Sequence, residues 1–379
     1  GIRFGYNILN DLAQEVRSKL GPRIILISDP GLTRLGLYQP FKKKLVNCGA
    51  EVLIFDGVSE DPTREVLLAA VDQGRGFLAT GVLGFGGGSS LDIAKLTSLL
   101  VGSAEDLDQA WGVANAKGPR LPLVLIPTTS GTGSEVTPVS IITVDETEKR
   151  GVSSSILIPD LAILDPALTM NLPQNVTAAT GVDAMVHAIE AYTSKSMNNN
   201  PMSGLLAIES LRLIGGSIED AVSDGSNNKV ARGNMLLGSM FAGMAFANSP
   251  VAAVHALAYP IGGTFHVSHG LSNAVILPHV MEFNSFNSSV MADYAFLGPF
   301  IFPELADIED DVKVCQKFIK NLTDLSKKLG LPAELRELKI PKDACKTMAV
   351  DALKQSRLLV NNPREVTEED ARTIYEKAW

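Results

Sequence analysis

A chain of 379 residues, 45% hydrophobic and 20% charged, is long enough for more than one core. Its formal net charge of −9 speaks against a nucleic-acid partner, and its basic runs are as short as Lys42–Lys44. Three widely spaced cysteines, Cys48, Cys315 and Cys345, fit the reducing cytoplasm better than a disulfide framework.

The first residues show no basic stretch before an apolar run, so no signal peptide is expected. Residues 23–29 (RIILISD) read as a buried strand and 35–49 as the helix after it. Residues 50–58 are a second strand, 64–74 a second helix, and 77–88 a third strand ending in glycines. Residues 121–129 and 140–145 supply further strands. This βαβα rhythm predicts a parallel sheet covered by helices. Beyond the Pro-rich turn at 162–173 strand-like runs vanish, and helical patterns such as 312–330 and 367–379 follow to the end. The expected organisation is an α/β domain over 1–168 and an all-helical domain over 169–379, with the ligand site in the cleft between them.

From Gly233 to Met281 no Asp, Glu, Lys or Arg occurs. That length would span a membrane, but Asn234, Asn248, Ser249, Pro250, Pro260 and several histidines are costly in lipid. The segment reads as buried helices around a polar site, so no membrane partner is expected.

Two loops follow strands in the α/β part. GFGGGSSLDIAK (84–95) combines three adjacent glycines with a helix N-terminus, a setting for a pyrophosphate, although it is neither GxGxxG nor a P-loop. A tight strand-to-helix turn is the plainer reading. IPTTSGTGSEVT (126–137) adds hydroxyls and exposed amides. Two such loops together favour a nucleotide. Asp29 closes a strand, where a carboxylate accepts from ribose hydroxyls and repels a 2′-phosphate, favouring NAD over NADP; a helix N-cap explains it almost equally well.

GVDAMVHAIEAY (181–192) places Asp183 four residues before His187 in a helix that otherwise reads as buried. Alone, the pair is a buried ion pair, an i,i+4 contact or half of a metal site. Only five histidines exist, and His255, His266 and His269 fall within fifteen residues of the uncharged segment. Asp183, His187, His255 and His269 form an N₃O set suited to divalent iron or zinc with one open position.

With these residues assembled, the chain resembles the iron-containing (group III) alcohol dehydrogenase family, related to glycerol dehydrogenase and dehydroquinate synthase. The resemblance runs through GGGSSLDIAK, PTTSGTGSEVT, LAILDPALT, TGVDAMVHAIEAY, HGLSNAVILPHVMEFN and NPREVTEEDARTIYEKA, nearly the whole length. It implies an N-terminal dinucleotide-binding domain, a helical C-terminal domain, a cleft metal held by Asp183, His187, His255 and His269, and a homodimer. Cofactor contacts would fall on Asp29, Gly87, Gly88, Ser89, Thr128, Thr129, Lys149 and Leu168. His266 and His279 then support the ligands or serve structural roles. Two departures stand out. Tyr259 occupies a position where many members carry a histidine used in proton handling, so Tyr259 bonds the substrate oxygen or lines the pocket, with His266 compensating. Asp61 stands where asparagine is frequent.

The expected reaction is metal-dependent, reversible hydride transfer between a primary or short secondary alcohol and NAD. Reduction of an oxo-acid, or a dehydroquinate-synthase-like lyase reaction, is the alternative on this scaffold. Both take anions, which the uncharged 233–281 segment does not favour, though arginines can arrive from elsewhere. A non-catalytic NAD- or metal-binding module has Tyr259 as its one support. No GxSxG, HExxH or Cys–His–Asn signature points to a hydrolase.

Overall fold

The computed structural model describes residues 1–103, 105–144 and 149–379. The chain forms two compact units, one of Gly1–Thr129 with Gly133–Asn171, the other of Ser130–Thr132 with Leu172–Trp379.

The first unit contains strands β1 (Ile2–Phe4), β2 (Arg23–Ile27), β3 (Glu51–Phe55), β4 (Gly81–Gly86), β5 (Gly112–Val113), β6 (Leu123–Pro127), β7 (Val139–Thr143), β8 (Lys149–Ser153) and β9 (Leu161–Leu164). Its helices are α1 (Ala13–Leu20), α2 (Pro30–Leu35), α3 (Gln39–Asn47), α4 (Arg64–Gly76), α5 (Gly88–Gly102) and α6 (Leu107–Ala110). Six strands make a wholly parallel sheet in the order β1-β9-β6-β4-β2-β3. Both faces are covered, which is why β6 and β9 are buried throughout and read as unbroken apolar runs. Gly84 lets α5 lie close on the sheet: a Cβ there would stand 2.8 Å from that of Ala94. From β2 the chain moves outward to β3, then returns to set β4 on the other side of β2. The order therefore reverses between β2 and β4, whose carboxyl ends carry Asp29 and the glycine loop.

Three details differ from the sequence reading. The strand at 140–145 does not join the parallel sheet; β7 runs antiparallel to β8 in a separate sheet ordered β5-β8-β7, and Asp145 lies outside the described residues. Its alternating half-burial is the mark of such a strand, whereas continuous burial marks the parallel ones. The helix at 35–49 is two, because Gly36 at φ 65° ends α2. β1 and β9 were not anticipated, being only three and four residues long.

The second unit is helical: α7 (Gln174–Thr193), α8 (Pro201–Gly215), α9 (Ile218–Ser223), α10 (Lys229–Asn248), α11 (Ala253–Phe265), α12 (His269–Asn284), α13 (Ser288–Ile301), α14 (Asp311–Lys328), α15 (Ala344–Leu353), α16 (Ser356–Leu359) and α17 (Glu368–Ala378). Buried on almost every side, α7 runs through the core and packs against α8, α10 and α12. No single helix among the described residues is long and apolar enough to cross a membrane; α10 and α11 are apolar together but bend by 106°.

Candidate functional site

On α7, Asp183 and His187 lie one turn apart on one face, 2% and 5% exposed. His255 sits in the first turn of α11 and is equally buried. The chain leaves α11 through His266, whose backbone is left-handed at φ 54°, and His269 opens α12. That reversal brings His269 back to His255, with ring centroids 5.2 Å apart. One donor atom from each of Asp183, His187, His255 and His269 lies within 4.8 Å of the others. The His269 side chain is 32% exposed and marks the open side of the cluster.

Each ring is held. His255 Nδ1 meets Glu190 Oε2 at 2.6 Å, and the other Glu190 oxygen accepts from the backbone N–H of Val254 at 2.6 Å. With its proton on Nδ1, His255 presents a bare Nε2, 3.0 Å from His187 Nε2. Phe246 stacks on the His187 ring at 4.6 Å. His187 Nδ1 has no well-formed hydrogen bond; the backbone of Gly131 is the acceptor beside it. Two ring nitrogens thus face each other in a buried place where at least one lone pair lacks a proton donor. A divalent cation resolves that arrangement, and the donor set suits iron or zinc.

The electrostatics agree. Burial pulls His187 down and His255 well down, so both rings are neutral and can ligate. Burial lifts Asp183, but the surrounding histidines, to the extent that they are protonated, and the Asn273 amide outweigh it and hold the carboxyl below its ordinary range. Burial pushes Glu190 up to about 7.

Sequence reasoning missed Glu190 and Asn273. Asn273 donates to Asp183 Oδ1 at 2.6 Å and lies 3.2 Å from His269 Nε2. The one available signal was helical spacing: Glu190 follows His187 by three residues and Asn273 follows His269 by four. Neither Tyr259 nor His266 belongs to the four-donor cluster. The Tyr259 ring stands 6.4 Å from that of His269, and its hydroxyl accepts from Arg357; His266 is exposed.

In the first unit, Asp29, Gly87, Gly88, Ser89, Thr128 and Thr129 gather at the carboxyl ends of β2, β4 and β6. Asp29 Oδ1 caps α2, accepting from Leu32 at 3.0 Å. Gly87 is the N-cap of α5, where no side chain caps the free N–H groups. Thr129 packs beside Gly87, and the Thr128 N–H bonds Gly86 at 3.0 Å. Lys149, on β8, forms a 2.5 Å ion pair with Asp61, and Leu168 packs half-buried beside the sheet. Behind the glycine loop, the fully buried Lys95 ammonium donates to Ser134 Oγ, Thr137 Oγ1 and the Val139 carbonyl at 2.7–3.0 Å. Asp92 accepts from Ser134 at 2.6 Å and from the Ile141 N–H at 2.9 Å, tying the two loops together.

Comparison with known proteins adds an independent line. Residues 1–166 match the family profile described as iron-containing alcohol dehydrogenase, and 177–379 its C-terminal counterpart. Long-chain-alcohol dehydrogenase 1 of Geobacillus thermodenitrificans is 41% identical, over 99% of this chain and 94% of that protein. A crystal structure of 1,3-propanediol oxidoreductase superposes with a TM-score of 0.94 at 33% identity, covering 100% and 97% of the two chains. Sulfoacetaldehyde reductase from Bifidobacterium kashiwanohense, in complex with NAD+, shares the fold at a TM-score of 0.86 and 24% identity, covering 100% and 96%.

Proposed function

Because this chain belongs to the iron-containing alcohol dehydrogenase family, we propose that it moves hydride between NAD and a small alcohol or aldehyde at one Fe²⁺ held by Asp183, His187, His255 and His269. One observation carries the reading: the four donor atoms converge, with the His255 and His187 nitrogens face to face and both rings neutral. A bound divalent metal would supply acidity to an alcohol proton, and the nicotinamide would take up or return hydride.

The chain's own residues do the rest. Glu190 fixes the His255 tautomer so that Nε2 points its lone pair into the cluster, and Phe246 holds the His187 ring. Asn273 keeps Asp183 oriented. The Tyr259 hydroxyl accepts from Arg357, which leaves its own proton to donate to the substrate oxygen. Gly87, Gly88 and Ser89, at the uncapped end of α5, receive the pyrophosphate, with Thr128 and Thr129 beside them. Lys149 and Leu168 complete the dinucleotide contacts. The Asp29 carboxylate favours NAD over NADP by repelling a 2′-phosphate.

Iron rather than zinc rests on the family's description, since the donor set accepts either. A cytoplasmic homodimer is supported by three free cysteines and by β1, an edge strand with Ile2 and Phe4 exposed. The test is NADH oxidation by short aldehydes, with protein stripped of metal and reconstituted anaerobically with Fe²⁺ or Zn²⁺. Turnover that requires metal and is faster with Fe²⁺ is expected. Equal turnover by stripped protein would overturn the reading.

A further inference from the structure

The stretch Gly233–Met281 supplies α11 and most of α12 without a single Asp, Glu, Lys or Arg. A permanent cation nonetheless arrives from ninety-eight residues further on. Arg357, on α16, donates from its guanidinium to the Tyr259 hydroxyl at 3.3 Å. Tyr259 lies one helical turn beyond His255, and its ring stands 6.4 Å from that of His269, on the open side of the cluster. The Arg357 charge is close enough to His255 to contribute to that ring's lowered pKa.

Arg357 differs in two ways from the arginines that close ion pairs, although Arg17, Arg23 and Arg75 likewise bond carbonyl oxygens rather than carboxylates. Arg64, Arg120, Arg212, Arg336 and Arg372 each hold a carboxylate. Among the described residues no carboxylate lies within ion-pair range of Arg357, in a chain of net charge −9. Its main chain is also pinned. Asn361 Nδ2 donates to the Arg357 carbonyl and to the Val251 carbonyl just ahead of α11, both at 3.1 Å, and neighbouring Leu358 is buried. The guanidinium is thus an anchored, unpaired cation beside Tyr259, with donors to spare in a fork that matches a carboxylate.

We propose that the substrate carries an anionic group at the end away from its reacting carbon, and that Arg357, aligned by Tyr259, receives it. The substrate class is a short aldehyde or alcohol bearing a carboxylate, sulfonate or phosphate. This deepens the dehydrogenase reading and rests on it. Arg357 binds and orients; it takes no part in the hydride step. Arg357 is exposed, and α11 and the part of α12 up to Met281 bring no Asp, Glu, Lys or Arg to compete with it for an anion.

The test compares butanal with 4-oxobutanoate, and with sulfonate- and phosphate-bearing aldehydes of the same length, in Fe²⁺-loaded protein. Wild type, Arg357→Leu and Arg357→Lys are each assayed. The expected kcat/KM for the best anionic aldehyde exceeds that for butanal by about tenfold or more. Arg357→Leu erases that ratio through KM, Arg357→Lys keeps part of it, and raised ionic strength narrows it. The anion with the largest ratio names the group. Calorimetric titration with succinate, which cannot react, gives a second readout: its dissociation constant rises about tenfold in Arg357→Leu, with thermal unfolding unchanged. Preference for butanal in wild type, equal KM changes for both substrates in the variant, or equal succinate binding would overturn the proposal. Failure of every aldehyde, charged or neutral, would instead strike the dehydrogenase reading, and the succinate titration would still decide for or against Arg357.

Discussion

Each unit buries a charged or ring-nitrogen cluster, and the two differ in how far donors and acceptors are matched. In the α/β unit the Lys95 ammonium spends its three protons on three acceptors, and Asp92 accepts two hydrogen bonds nearby. In the helical unit His187 and His255 turn ring nitrogens toward each other at 3.0 Å, and His187 Nδ1 and Asn273 Oδ1 are left without hydrogen-bond partners. A buried cation whose donors are matched is a structural tie, since an unmatched one is costly. A buried group whose acceptors outnumber its donors, here the single Asn273 amide, is held for something that enters later. Burial alone therefore does not separate a scaffold from a site. The match between donors and acceptors around Lys95 marks the tie, although Glu135 Oε1 in the same unit is also left without a hydrogen-bond partner.

Four measurements break or sharpen that contrast. The largest effect is expected from Asp183→Ala, which removes the anionic ligand: metal-dependent NADH oxidation should fall by roughly a thousandfold, the several kcal/mol that a bound metal contributes. Steady-state assays at saturating metal check this, and a loss under tenfold would mean the cluster is not the reacting centre. Next comes Lys95→Met. It strands the Asp92 and Thr137 partners and should cost about 3–5 kcal/mol by denaturant unfolding, while bound metal per folded chain stays unchanged. Loss of metal in that variant would dissolve the distinction between tie and site. Glu190→Gln leaves the ligands in place but weakens the hold on His255 Nδ1. Metal affinity, measured by chelator competition, should drop by about 10–100-fold with the fold intact.

The smallest effect is in the pH dependence of the α/β unit. Burial pushes Glu135 up to about 7, so the folded chain keeps a proton that the unfolded chain releases from about 4.5 upward. That contribution is present at low pH and is lost as pH rises to about 7. Burial pulls Lys95 down to about 8, against an ordinary 10.5, so above pH 8 the unfolded chain holds the extra proton and stability rises again. Unfolding midpoints should pass through a shallow minimum between about pH 7 and 8. Lys95→Met should abolish the rise on the alkaline side. A rise that persists in the variant would assign it to another group.

Much of this was readable in the residues before any coordinates. Histidine is so scarce here that three in fifteen residues, beside an Asp-x-x-x-His pair, stand out against the apolar background of α7 and α11. The parallel strands were legible because burial on both faces leaves unbroken apolar runs. Glu190 and Asn273 were not, because carboxylates and amides are common in helices and their partners lie 65 and 90 positions away in sequence. Arg357 escaped for the same reason: nothing local ties it to Tyr259. The pairing of Lys149 with Asp61 was likewise invisible, since it joins a strand of the small sheet to the loop ahead of α4.

The central claim is that the four converging donors hold one divalent ion. Its most direct test is equilibrium dialysis of chelator-stripped protein against Fe²⁺ under anaerobic conditions, with metal counted per chain in wild type and in His255→Ala. One equivalent in wild type and none in the variant is the predicted result. No bound metal in wild type, or one equivalent retained in the variant, would leave Asp183 and His187 as a buried ion pair and contradict the account.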